Sequence, residues 1–391
     1  MGTPSIDPER WLVPAASAAT VLASEQVTIV DLRSPGEFAQ DHLPGALNRP
    51  LFDDQERALV GTLYKQASPD AAFAEARGLV LQTIEGLVRG VAEAAGRDAP
   101  REDLVALVER FTEAGLEGIQ RALRFDVRDE VPRGSLVVHC WRGGMRSASV
   151  ARLLRELGWQ DVFVLEGGYK RYRRQVLEEL EGWQAPPSFV LRGMTGVGKT
   201  LVLRELEALR PGWTLDLEEL AGHRSSILGM VGLEPCNQKT FDSRLASRLR
   251  AGFVGPCVLE GESRKVGDSI VPASVWSALR GGVHLRLEAS TERRVEVLIE
   301  DYLARDTSRD ELRRQLPFIE ERLGPSAWQG ELTRRLDDGR EGELVELLLE
   351  HYYDPLYAHS ERDYDYSAVF DSSDPAGSAA EIVRWIEARG A

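Results

Sequence analysis

The stretch Gly193-Met194-Thr195-Gly196-Val197-Gly198-Lys199-Thr200 fills the pattern GxxxxGK[ST] completely. It lies between an apolar run, Ser188-Phe189-Val190-Leu191-Arg192, and a helical run from Leu201 to Leu209. A strand that feeds a glycine loop and then a helix belongs to a parallel α/β sheet with an anion at the helix N-terminus. Gly193, Gly196 and Gly198 let backbone amides reach phosphate oxygens, Lys199 brings a mobile positive charge, and Thr200 offers a Mg²⁺ ligand. The spacing therefore predicts a P-loop.

Such a loop needs an acid from a neighbouring strand. Pro256-Cys257-Val258-Leu259-Glu260-Gly261-Glu262-Ser263 offers Glu260 or Glu262 at a strand end, without the usual aspartate. Thr214-Leu215-Asp216-Leu217-Glu218 offers Asp216 and Glu218 in the same way. Each of the four could equally be an ordinary strand-end carboxylate. The departure argues against plain ATP hydrolysis and leaves the cradle open to another diphosphate.

A second pattern lies earlier. Val137-Val138-His139 runs into Cys140-Trp141-Arg142-Gly143-Gly144-Met145-Arg146, and the helical run Ser147-Ala148-Ser149-Val150-Ala151-Arg152-Leu153-Leu154 follows. A thiolate is stabilised at a strand end, over a helix N-terminus, inside a ring of amides. The glycines let the loop curl inward, and Arg142 and Arg146 supply positive charge that lowers a thiol pKa and can fork onto an oxyanion. The plainer alternative, a buried cysteine closing a core strand, fits the two arginines and two glycines poorly.

With 391 residues, the chain has room for two domains with substantial cores. Val27–Leu32, Leu136–Val138 and Val162–Leu165 read as buried strands separated by helical segments, hence a parallel sheet with its chemistry at the strand C-termini. Between Ala71 and Leu123, Leu79, Leu81, Ile84, Leu87 and Val88 share one helical face, as do Leu104, Leu107, Val108 and Phe111. This helical insertion reads as packing. Trp183-Gln184-Ala185-Pro186-Pro187 stops what precedes it. The expected domains are 10–183, with the insertion at about 67–125, and 188–391, where a helix-rich, charged part closes the chain.

Three cysteines, Cys140, Cys236 and Cys257, make no disulfide framework and point to a reducing compartment. No Cys or His cluster has zinc spacing, so no metal is assigned to side-chain clusters and no tightly bound cofactor is expected beyond Mg²⁺ at Thr200. Met1–Asp7 lacks a signal pattern and no 18-residue apolar run occurs, so a cytoplasmic protein without a membrane partner is expected. A net charge of −15 argues against indiscriminate nucleic-acid binding but leaves room for a local basic surface. Arg264, Lys265, Arg293, Arg294, Arg305, Arg313, Arg314 and Arg322 sit mostly beside glutamates, where an ion-paired solvated face is the default.

The first domain resembles the rhodanese family. Asp31-Leu32-Arg33-Ser34-Pro35-Gly36-Glu37-Phe38 and His42-Leu43-Pro44-Gly45-Ala46-Leu47-Asn48 are similar to its opening signature, the Cys140 loop to its active site, and Leu165-Glu166-Gly167-Gly168-Tyr169 to its closing one. Asp31 and Arg33, at a strand end, can brace the loop. The fusion to a P-loop domain resembles the tRNA 2-selenouridine synthase family. So do Gly61–Lys65, Asp216–Glu218, His223–Ser226, Gln238–Phe241, Glu262–Lys265 and Tyr352–Tyr357. The resemblance implies a transferase acting on the wobble 2-thiouridine of tRNA. The sulfur is first alkylated from geranyl diphosphate, and selenium from selenophosphate then replaces the alkylated sulfur. Cys140 would serve the second step, as a selenium carrier or by assisting the departing group.

The loop runs Cys-x5-Arg, one residue longer than in many sulfur-transferring rhodaneses. His-Cys-x5-Arg is also the loop of cysteine phosphatases, where amides and arginine grip phosphate while the thiolate attacks phosphorus. The longer loop is expected to hold the phosphate part of selenophosphate. Two alternatives stay open from sequence: a cysteine-dependent phosphatase or sulfurtransferase fused to a nucleotide-binding P-loop domain, and a binding module with inactive sites. No general acid near the leaving group is evident in Arg142–Met145, which weighs against a phosphatase.

Overall fold

The computed structural model describes residues 12–303, 305, 307–357 and 364–390; residues 10, 11, 304, 306, 358–363 and 391 of the expected domains, and the Met1–Asp7 stretch, lie outside them. The chain divides into two compact units, Met1–Leu177 and Glu178–Ala391.

The first unit is built on six strands: β1 (Leu12–Ala16), β2 (Thr28–Asp31), β3 (Leu47–Asn48), β4 (Arg124–Arg128), β5 (Leu136–His139) and β6 (Val162–Leu165). Their order is β3-β2-β5-β6-β1-β4, and every pairing is parallel. β5 and β6 are buried along their whole length, as expected for strands covered on both faces. β1 and β4 carry no clear strand signal. β1 contains Pro14 and two alanines, and β4 is an edge strand whose Phe125 and Val127 face outward.

The stretch expected as the insertion, about 67–125, is three helices rather than one long segment, Pro69–Ala94, Leu104–Thr112 and Gly115–Ala122, and a further helix, Asp54–Gln66, precedes them. Local caps impose the breaks. Asp53 and Glu56 form a reciprocal capping box, Ser68 accepts from Ala71 N ahead of Pro69, and Asp103 accepts from Ala106 N. Ile84, Leu87, Val88, Leu104, Leu107 and Val108 join Val30, Val138 and Val164 of the sheet in one core. The apolar periodicity thus marks packing against the sheet.

The second unit has a five-stranded parallel sheet in the order β13-β12-β7-β9-β8. Its strands are β7 (Ser188–Arg192), β8 (Thr214–Leu215), β9 (Cys257–Glu260), β12 (Val283–Glu288) and β13 (Tyr366–Asp371). A small antiparallel hairpin, β10 (Lys265–Val266) and β11 (Ser269–Ile270), follows β9. Gln238 clamps it, donating to Ile270 O and accepting from Ile270 N. β7 is central, so the glycine loop leaves the middle of the sheet. β13 lies in what reads as a helical C-terminal part, and it returns to pair with β12. The rest of that part is helical and packs Leu312, Leu316, Ile319, Leu332, Leu336, Leu344 and Leu348 into a second core. Among the described residues no helix is long and apolar enough to cross a membrane.

Candidate active sites: a cysteine loop and a phosphate cradle

Cys140 follows the last residue of β5, and the helix Met145–Glu156 begins five residues later. Its side chain is buried, and its Sγ lies 3.3 Å from the Ser147 Oγ. Burial pushes the thiol pKa up, but the charge of Arg146, the Ser147 hydroxyl and amide, and the Arg142 amide outweigh it. The net shift is downward. Arg142 contributes here through its backbone N–H, and its side chain is exposed. Of the two arginines expected to act on the thiol, Arg146 exerts the leading charge effect.

The loop is held from behind. Gly143 adopts φ +61°, and a Cβ there would meet Leu165 O at 2.4 Å and Gly168 N at 2.7 Å. Gly168, at φ +59°, would meet Gly143 N at 2.3 Å and Cys140 O at 2.4 Å. Only glycine satisfies both the dihedrals and this approach. The start of helix Gly168–Gly182 then caps the loop, with Tyr169 N donating to Cys140 O at 3.0 Å and Lys170 N to Trp141 O at 2.9 Å.

Asp31 and Arg33 brace this arrangement. They form a fully buried pair in which Arg33 Nε donates at 2.9 Å and a terminal nitrogen at 2.6 Å to the same Asp31 oxygen. The guanidinium also donates to Asp41 O and stacks 3.7 Å from the Tyr169 ring centroid, while Tyr169 donates to the Asp41 carboxylate at 2.8 Å. His139 is buried too; burial is the largest cause of a pKa near 4, with Asp31 opposing it, so the ring is neutral at neutral pH.

In the second unit the glycine loop joins β7 to the helix Lys199–Leu209. Gly193, Gly196 and Gly198 have φ of +146°, +81° and +83°. Several loop carbonyls are tied by specific partners: Gly193 O by Lys199 Nζ at 3.2 Å, Thr195 O by Arg294 Nε at 2.8 Å, and Val197 O by Ser372 Oγ at 2.7 Å. Arg294 is itself fixed by a two-point ion pair with Asp354. Ser147, Arg294, Asp354 and Ser372 are support residues that sequence reading does not single out. Ser147 and Asp354 lie inside family-like stretches, Arg294 among the basic residues taken as solvated, and Ser372 carries no signal.

Glu218, Glu260 and Glu262 offer carboxylate oxygens that all lie within 4.8 Å of one another. Glu260 is 1% exposed, and its carboxylate lies against the Thr200 side chain of the glycine loop, which hydrogen-bonds to it. Its pKa is raised chiefly by burial, then by Asp216 and Glu262, with Lys199 opposing. Burial also leads the rise at Glu218 and Glu262. Three crowded carboxylates against a P-loop lysine fit a divalent cation. Asp216 adjoins the three: one of its oxygens caps the helix Leu217–Ala221 by accepting from Glu219 N at 2.7 Å, while the other is buried without a hydrogen-bond partner and its charge acts on Glu260.

The fold and the two sites define a class: a rhodanese-like domain with a thiolate-stabilising loop, joined in one chain to a P-loop domain. Residues 114–175 match the rhodanese-like domain, and residues 186–390 match the tRNA 2-selenouridine synthase AAA domain. The chain is 31% identical over 366 residues to the tRNA 2-selenouridine synthase of Chromohalobacter salexigens, covering 87% of this chain and 90% of that one. It is 32% identical to that of Pseudomonas syringae pv. syringae, covering 93% and 95%, and 34% identical to that of P. syringae pv. tomato, covering 85% and 88%. The chain belongs to the tRNA 2-selenouridine synthase family, and it is an enzyme that modifies tRNA.

Proposed function

We propose that the chain converts wobble 2-thiouridine in tRNA to 2-selenouridine through S-geranyl-2-thiouridine, in the cytoplasm. One observation carries this reading: a chain of this family holds both a thiolate-stabilising loop and a P-loop cradle lined by Lys199. In the first step the thiocarbonyl sulfur attacks C1 of geranyl diphosphate, the C–O bond breaks, and diphosphate and a proton leave. In the second step selenophosphate and water deliver selenium to C2; geranyl thiol departs and inorganic phosphate is released. Alkylation makes chemical sense, because it turns a poor thiocarbonyl leaving group into a thiol.

The cradle Gly193–Thr200 takes the diphosphate, with Lys199 on its oxygens and the amides around it. Thr200, Glu218, Glu260 and Glu262 fit Mg²⁺, and that ion, when bound, neutralises diphosphate charge. Cys140 serves the selenium step, and the Cys-x5-Arg loop with Arg146 takes the phosphate part of selenophosphate. Mass spectrometry of wobble nucleosides from cells with and without the gene, grown with selenium, tests the reading. The deletion is expected to keep 2-thiouridine and to lack the geranylated and selenated forms; unchanged 2-selenouridine overturns it.

A further inference from the structure

A chain of net charge −15 that acts on a polyanion needs positive potential where that polyanion lands. Most of the basic residues that the sequence sets beside glutamates do not supply it. Lys265 pairs with Asp268, Arg293 with Glu296, Arg294 with Asp354, and Arg313 with Asp310 and Asp337, while Arg322 donates to Tyr352.

The mouth of the cysteine loop is different. Arg142, Lys170 and Arg174 are exposed there, and none makes an ion pair among the described residues. Lys170 is placed by the hydrogen bond its backbone N–H donates to Trp141 O, beside Arg142, whose carbonyl carbon would lie 2.8 Å from a Cβ on Gly168. Arg174 lies one helical turn beyond Lys170, on the same face of helix Gly168–Gly182. Arg171, between them, is neutralised by Glu166. Arg146 stays committed to the thiol, where its charge lowers the Cys140 pKa.

We propose that Arg142, Lys170 and Arg174 form an RNA-backbone rim around Cys140, gripping phosphates that flank the nucleotide being modified. The proposal rests on tRNA as the substrate. Backbone contacts of this kind set register and orientation without reading sequence, so the rim positions the wobble base while discrimination lies elsewhere.

The test is tRNA binding by the full-length protein across a salt series, using R142E, K170E, R174E and their triple combination. R89E and R101E, exposed arginines of the helical insertion and its following loop, serve as controls. Each rim reversal is expected to flatten the log Kd against log salt slope by about 0.7–0.9, and the triple variant to bind at least about tenfold more weakly. The controls stay near wild type. The melting temperature of K170E/R174E is expected to stay unchanged. A triple variant with wild-type affinity and slope overturns the proposal. So does loss of inorganic phosphate protection of Cys140 with tRNA affinity intact, which assigns the rim to a small anion. Absence of tRNA binding by the wild-type protein overturns the substrate reading itself, and is a distinct result.

Discussion

The amide of Tyr169 donates to the carbonyl of Cys140 at 3.0 Å, so the turn that closes β6 and the loop that follows β5 form one unit. Gly168, immediately before, leaves no space for a side chain on that seam. Gly168→Ala is expected to destabilise the first unit by at least about 1–2 kcal/mol from its left-handed backbone alone. It should also slow alkylation of Cys140. Equilibrium denaturation and iodoacetamide kinetics measure both, and wild-type values in the two assays contradict this seam.

Arg146 exerts the leading charge effect on the thiol. Arg146→Ala is expected to raise the Cys140 pKa, moving the midpoint of alkylation rate against pH upward. It should abolish selenation while leaving geranylation largely intact. An unmoved midpoint contradicts the electrostatic role, and an equal fall in both reactions gives the loop a different one.

The buried Asp31–Arg33 pair is a bracing element, with both side chains at or near zero exposure. Asp31→Ala leaves the Arg33 guanidinium buried without its partner, a change expected to cost about 3–5 kcal/mol. A urea midpoint that scarcely moves would show that the pair is dispensable.

Much of this was legible in the sequence, and the remainder was hidden for identifiable reasons. The glycine loop and the Cys140 loop show because their chemistry forces glycine, lysine and arginine into fixed local spacing. The insertion shows because its apolar period survives in Ile84, Leu87 and Val88. β13 is hidden because Val369 is exposed and the strand pairs across a long sequence gap with β12. The Arg294–Asp354 tether spans 60 residues, so no local pattern links the pair or ties it to Thr195. Asp216, in the same kind of strand-end position as the glutamates, also caps a helix with one oxygen, a second role that only the tertiary placement reveals.

The raised carboxyl pKa values of Glu218, Glu260 and Glu262 carry a stability consequence. In the unfolded chain these groups titrate near pH ~4.3, whereas the folded chain holds their protons to higher pH. Over that interval the folded state binds more protons, so stability without metal falls as pH rises. Thermal melts in EDTA should show this fall, Mg²⁺ should reverse it, and Glu260→Gln should flatten it. Identical melts with EDTA and Mg²⁺ at neutral pH contradict the cation site.

The most direct test of the division of labour is reconstitution on thiolated tRNA with geranyl diphosphate and selenophosphate, comparing Cys140→Ser with Lys199→Ala. Cys140→Ser is expected to accumulate S-geranyl-2-thiouridine, and Lys199→Ala to leave 2-thiouridine unreacted. Arrest of both variants at the same nucleoside contradicts that division.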